Sequence, residues 1–133
     1  MNRPPQFRIL PIERLRGHEE HDPAKVDELV AELRRAGTFD DPIWVARDGW
    51  VILNGHHRVE AARRLGLKRV PAWVLDYHGG QVDLERWSPG PRIPKAEVVR
   101  RARYGPPFPP KTTRHRLRVE LPRRSVPLAE LEN

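Results

Sequence analysis

The chain has 133 residues, 38% of them hydrophobic, and no cysteine, which gives room for one modest core and excludes disulfides, thiolate nucleophiles and cysteine metal sites. Its net charge is +7, yet eleven basic residues against two acidic ones fall between Arg92 and Arg124, so that third is either a patch for a polyanion or a source of cations for a small phosphorylated ligand. No apolar run reaches bilayer length, and MNRPPQFRIL lacks the apolar stretch of a secretory signal, so the expectation is a cytoplasmic protein, one domain over 1–133, with no membrane partner.

FRILPIERL alternates apolar and polar residues through a proline and reads as a short edge strand turning into RGHEEHD. Asp22 suits an N-cap, Pro23 the first helical position, and Val26, Leu29, Val30 and Leu33 recur at helical spacing until Gly37. PIWVA and WVIL flank Arg47-Asp48-Gly49, so 42–53 reads as a hairpin. Val59, Ala61, Ala62 and Leu65 then form the apolar stripe of a second helix, with Gly66 as its left-handed stop. VPAWVLDY is a further strand and HGGQVDLERWSPGPRIP is turn-rich. KAEVVRRARYG is a third helix, PPFPPKTTRH a proline-stiffened loop, and VPLAEL a short docking element. The order strand, helix, hairpin, helix, strand, helix predicts a compact α+β domain with a small mixed sheet flanked by helices.

The densest cluster of polar chemistry is NGHHR at the start of the second helix. A helix start presents unpaired N–H groups and the positive end of the dipole, so an anion is favoured there. Gly55 permits close approach, and Arg58, one turn in, is placed to reach back toward a phosphate beside His56 and His57. A solvated basic face behind an Asn54 cap is the bland alternative. Zinc is disfavoured, because adjacent helical side chains diverge by about 100° and no third ligand is evident.

GHHRVEAARRLG resembles the GxxRxxA box of the ParB/sulfiredoxin superfamily. Sulfiredoxins carry a catalytic cysteine where this chain has His56, so their activity is excluded. Within the superfamily, GHEE at 17–20, NGHHR at 54–58, VLDY at 74–77, ERWSP at 85–89 and PPKTTRH at 109–115 are similar, in order, to segments of the free L-serine kinases. That resemblance implies the ParB/sulfiredoxin-like fold, a nucleotide box over 54–66, a substrate loop over 109–116, and transfer of phosphate from ADP or ATP with Mg²⁺ to L-serine. It implies that Glu19 accepts the serine hydroxyl proton and that Gly55, His56, His57 and Arg58 hold the nucleotide. Trp87, Thr112, Thr113, Arg114 and His115 would surround serine and its phosphate, Arg114 through its planar fork.

Asn54 stands where those kinases carry an aspartate that serves catalysis or magnesium, and an amide oxygen is the weaker magnesium ligand. A long segment between the tryptophan motif and PKTTRH is also missing. The competing expectations are a ParB-like, nucleotide-dependent DNA-binding protein and a catalytically silent nucleotide or phosphoserine sensor. No helix-turn-helix follows the box, which ranks DNA below the small-molecule reading.

Overall fold

The computed structural model describes residues 3–133; residues 1 and 2 of the expected domain lie outside the described residues. The central sheet contains β1 (Gln6–Pro11), β3 (Ile43–Ala46), β4 (Ile52–Asn54) and β5 (Arg69–Leu75), in the order β1-β5-β3-β4. β5 runs parallel to β3 and antiparallel to β1, and β3 and β4 form the expected hairpin. Every residue of β5 after Arg69 is buried, which is why VPAWVL reads as a continuous apolar run rather than an alternation. Pro71 is tolerated in this interior strand because β3 begins pairing only at Ala72, so Pro71 faces β1 alone.

Side-chain alternation divides the core between the two faces of this sheet. Val70, Ala72 and Val74 of β5, with Ile43, Val45 and Ile52, meet Val26 and Leu33 of α1 (Pro23–Ala36) and Val59, Ala61 and Ala62 of α2 (His56–Arg64). Trp73 and Leu75, with Ala46, Val51 and Leu53, meet Tyr77, Val82, Phe108 and Val98 of α3 (Lys95–Tyr104). The result is the α+β arrangement that the periodicity predicts.

Local chemistry sets the helix ends. The Asp22 carboxylate accepts from the Ala24 N–H at 3.0 Å, Pro23 opens α1, and Gly37 ends it at φ +71°. VPLAEL docks as expected: Val126–Pro127 form β8, which pairs with β2 (Thr38–Phe39), and the following 3-10 turn places Leu131 in the core, fully buried.

Two expectations are corrected. VDLER and TRHRL, expected as parts of loops, pair antiparallel as β6 (Val82–Arg86) and β7 (Thr113–Leu117), with Glu85 opposite Arg114 and Asp83 opposite Arg116. The 109–116 loop is therefore half strand. The hairpin turn is also longer than Asp-Gly chemistry implies: Trp50 adopts φ +54° and β4 begins only at Ile52.

Candidate active site

Asn54 ends β4 and α2 begins at His56, with Gly55 between them at φ +112°. A Cβ on Gly55 would lie 2.5 Å from Ile43 Cγ2 and 2.9 Å from Ile43 Cβ, so only glycine lets the helix start this close to β3. The start of α2 carries the positive end of its dipole, and no side chain caps it.

The two histidines of the box are used differently from what the sequence suggests. His56 Nε2 accepts the backbone N–H of His18 at 3.1 Å, and His57 Nε2 accepts that of Asp22 at 2.9 Å. Accepting an N–H requires a bare Nε2, so both rings are neutral, with their proton on Nδ1. Burial, followed by the neighbouring His18, His115, His57 and His21, holds His56 well below the usual imidazole range; burial and then His21 lower His57. The pair straps the 17–22 loop across the start of α2. Neither histidine brings a full positive charge to an anion.

Arg58 is not brought into the cavity. Its guanidinium donates to the Asp41 and Pro42 carbonyls and, at 2.6 Å, to Asn54 Oδ1, and thus ties the β2–β3 connection to the helix start. Three of the five guanidinium N–H donors are spent on these acceptors, and Arg58 does not line the cavity, so this arrangement does not show the expected reach toward a phosphate.

Glu19, in the strapped loop, is the most tightly held carboxylate of the region. Its Oε1 accepts from the Thr112 N–H at 2.9 Å, the Thr113 N–H at 2.6 Å and the Thr113 hydroxyl at 2.9 Å. Oε2 has no protein partner among the described residues. Burial raises the carboxyl above its usual range, opposed by the Thr113 N–H, the Thr113 hydroxyl and the Thr112 N–H. Thr112 and Thr113, expected around serine, therefore hold Glu19 itself, and the Thr112 hydroxyl closes its own turn on the Pro109 carbonyl at 2.7 Å.

Behind Glu19 stand two buried imidazoles. His18, fully buried, lies 2.9 Å through Nε2 from Thr113 Oγ1. Burial lowers it to about 4, opposed by the Ile52 backbone. His115 Nε2 lies 2.8 Å from the Tyr77 hydroxyl; burial, then His18, lowers it to about 3. Burial also pushes the Tyr77 phenol up, so the hydroxyl keeps its proton.

A cavity of about 690 Å³ opens in front of these groups, lined by Glu19, Asn54, Gly55, His56, His57, Trp87, Thr113, Arg114 and His115. Of the expected site residues, only Arg58 and Thr112 fall outside this lining. Trp87 is 55% exposed, and the Arg114 guanidinium stacks 4.6 Å above its ring. Sequence reasoning missed Lys25, from the first turn of α1, and Lys111, at φ +58° before the threonines; both line the cavity. Lys111 sat inside the quoted PKTTRH motif, whereas nothing local marked Lys25.

A family model described as the ParB N-terminal domain matches residues 6–82. Over 85 residues the chain is 35% identical to an ATP-dependent L-serine kinase of Staphylothermus marinus, covering 61% of this chain and 34% of that protein. Over 97 residues it is 28% identical to the ADP-dependent L-serine kinase SerK of Thermococcus kodakarensis, covering 70% and 40%. The matched stretch thus spans between about a third and two fifths of the length of these relatives. Among solved structures, a free serine kinase in complex with AMP superposes with a TM-score of 0.83 at 17% identity, over 94% of this chain and 93% of that one, and shares its fold.

Proposed function

We propose that this chain, which belongs to the ParB N-terminal domain family, phosphorylates free L-serine from ADP or ATP in the cavity between the 17–22 loop, the start of α2 and β7. The observation that carries the reading is Glu19, a residue lining the cavity, with one carboxylate oxygen saturated by three donors and the other without a partner among the described residues. Such a group is rigid, correctly raised in basicity by burial, and able to accept one proton from a small ligand. The similarity to L-serine kinases supports serine as that ligand.

In this reading the serine hydroxyl oxygen forms a bond to the terminal phosphorus of the nucleotide, the bond from that phosphorus to the leaving phosphate oxygen breaks, and the hydroxyl proton passes to Glu19 Oε2. Phosphoryl transfer asks chiefly for positioning and charge neutralisation. The amides at the start of α2, with Lys25 and Lys111, supply these to the phosphates. Arg114, held over Trp87, suits the serine carboxylate.

The described residues build no magnesium site of their own: no group of three or more His, Asp or Glu is placed to hold a metal, and Asn54 Oδ1 is occupied by Arg58. Magnesium would enter with the nucleotide phosphates, with Asn54 at most a weak amide ligand beside them. DNA ranks second, because four of the eleven basic residues of the segment are already paired with carboxylates, Arg116 with Glu85, Arg118 with Asp83, and Arg100 and Arg101 with Glu97, and two more, Lys111 and Arg114, line the cavity. Among the described residues no helix is long and apolar enough to cross a membrane, and the same reading sets the chain in the cytoplasm with its free substrates. Incubation with Mg²⁺, L-serine and either nucleotide, followed by mass spectrometry, should show O-phosphoserine. Absence of product with both nucleotides overturns the reading.

A further inference from the structure

The Thr113 hydroxyl has one proton and two neighbours that could take it, His18 Nε2 and Glu19 Oε1, each at 2.9 Å. Which one receives it depends on where His18 carries its own proton. A proton on Nε2 makes His18 a donor to Thr113, and the threonine proton must then point at Glu19. With the proton on Nδ1, facing the Ile52 backbone, Nε2 is a bare acceptor and the hydroxyl turns away from the carboxylate. His18 is fully buried and its Nδ1 makes no hydrogen bond in the structure. An ionised Glu19 can only accept, so its 2.9 Å contact with the Thr113 hydroxyl is a hydrogen bond only when threonine donates, and the 2.9 Å contact of the same oxygen with His18 must then be donated by Nε2–H, the first arrangement.

We propose that His18 is a positioning residue: by donating Nε2–H to Thr113 it aims the threonine hydroxyl at Glu19 Oε1, reserving Oε2 as the one oxygen free to accept a proton from the cavity. The proposal rests on Glu19 acting as the base in the preceding reading. His18 touches neither substrate nor cavity and acts only through Thr113. The packing fixes it in place: the His56 ring lies 4.6 Å away edge-on, His115 at 5.7 Å and Phe108 at 6.4 Å, all near perpendicular. The 17–22 loop is pinned on both sides of it, by the N–H of His18 to His56 and by the Phe108 N–H to the His18 carbonyl at 2.8 Å. The other ionisable groups around the same cavity are Asp22, Lys25, His57, Lys111 and Arg114, and none of them contacts the Thr113 hydroxyl.

The test reads protonation directly, in the full chain. Nitrogen-15 NMR of the His18 imidazole, at a pH where Glu19 is ionised, should show the Nε2–H tautomer; the Nδ1–H tautomer overturns the proposal, and the parent protein suffices to decide. Carbon-13 NMR titration of the Glu19 carboxyl supplies the second readout. Thr113→Val should raise its pKa by about one unit, the tenfold effect of one charge-assisted hydrogen bond. His18→Gln, which keeps an N–H at the same place, should titrate like the parent, whereas His18→Phe should shift Glu19 upward in the parent and not in the Thr113→Val background. Equal His18→Phe shifts in both backgrounds would mean that His18 does not act through Thr113. Neither readout needs turnover, so a protein that makes no phosphoserine fails the kinase reading and leaves this one to be judged on its own.

Discussion

Replacing Gly55 by alanine strikes the junction on which the whole cavity depends. The residue sits at φ +112°, and the added methyl carbon would lie 2.5 Å and 2.9 Å from two carbons of Ile43. Ile43 is fully buried in β3, so it has little room to move aside. Overpacking of this kind costs about 1–3 kcal/mol, and forcing an L-residue into this backbone region adds about 1–2 kcal/mol. Gly66 separates the two effects, because it has φ +80° and nothing within 4 Å of its virtual Cβ, so Gly66→Ala carries the backbone cost alone. For a chain of this size each kcal/mol moves Tm by about 3–5 °C. Thermal unfolding followed by circular dichroism should therefore place Gly55→Ala roughly 10 °C below the parent and clearly below Gly66→Ala. If the two variants melt together, α2 does not start against Ile43 as described.

Arg58→Ala strands the Asp41 and Pro42 carbonyls, and should cost about 2–4 kcal/mol in urea unfolding while nucleotide affinity measured by calorimetry changes by less than the stability; the reverse ranking would place Arg58 in the cavity after all. His18 and His115 are held neutral in the fold, at about 4 and about 3, and their unfolded forms titrate near the usual value of about 6.5. As pH falls below that value the unfolded chain takes up protons that the fold refuses, so stability is full above it and declines progressively toward pH 4 and 3, by up to a few kcal/mol. Urea midpoints at pH 7.5 and 5 should show the fall, and a variant carrying His18→Gln and His115→Gln should shrink it, leaving the part that the likewise depressed His56 and His57 contribute. Asn54→Asp should raise the rate of serine phosphorylation, because a carboxylate both pairs with Arg58 and ligates magnesium better than an amide; kinetics on samples checked by peptide mass for deamidation at Asn54-Gly55 decide, and equal rates remove Asn54 from the chemistry.

What was legible in the sequence is what local physics determines. Asp22, Pro23 and Gly37 delimit α1 because capping is a matter of a few neighbouring atoms. The strand β5 showed itself because burial on both faces demands apolar residues without interruption. β6 and β7 did not, since their pairing joins residues about thirty positions apart and their outer faces carry Asp83, Glu85, Arg116 and Arg118, which erase the apolar alternation. The site divides the same way. Glu19, Gly55 and the PKTTRH segment stood out as motifs, and the fold brings them to one cavity. The individual duties of His56, His57 and Arg58 were hidden, because they depend on which backbone atoms the 17–22 loop and the β2–β3 connection set against the helix start. Composition counted these residues as potential cations, while the structure consumes two as neutral acceptors and the third as a tie between segments.

The account stands most directly on Glu19 as the group that takes the serine proton. Its decisive measurement is the initial rate of O-phosphoserine formation by the parent and by Glu19→Gln, with Mg²⁺ and the better nucleotide donor, both proteins shown by circular dichroism to be folded. A glutamine still accepts the Thr112 and Thr113 donors through its carbonyl oxygen but cannot accept a proton, so the rate should fall by about 10²–10⁴ while nucleotide binding persists. A variant that phosphorylates serine within a few-fold of the parent would contradict the account.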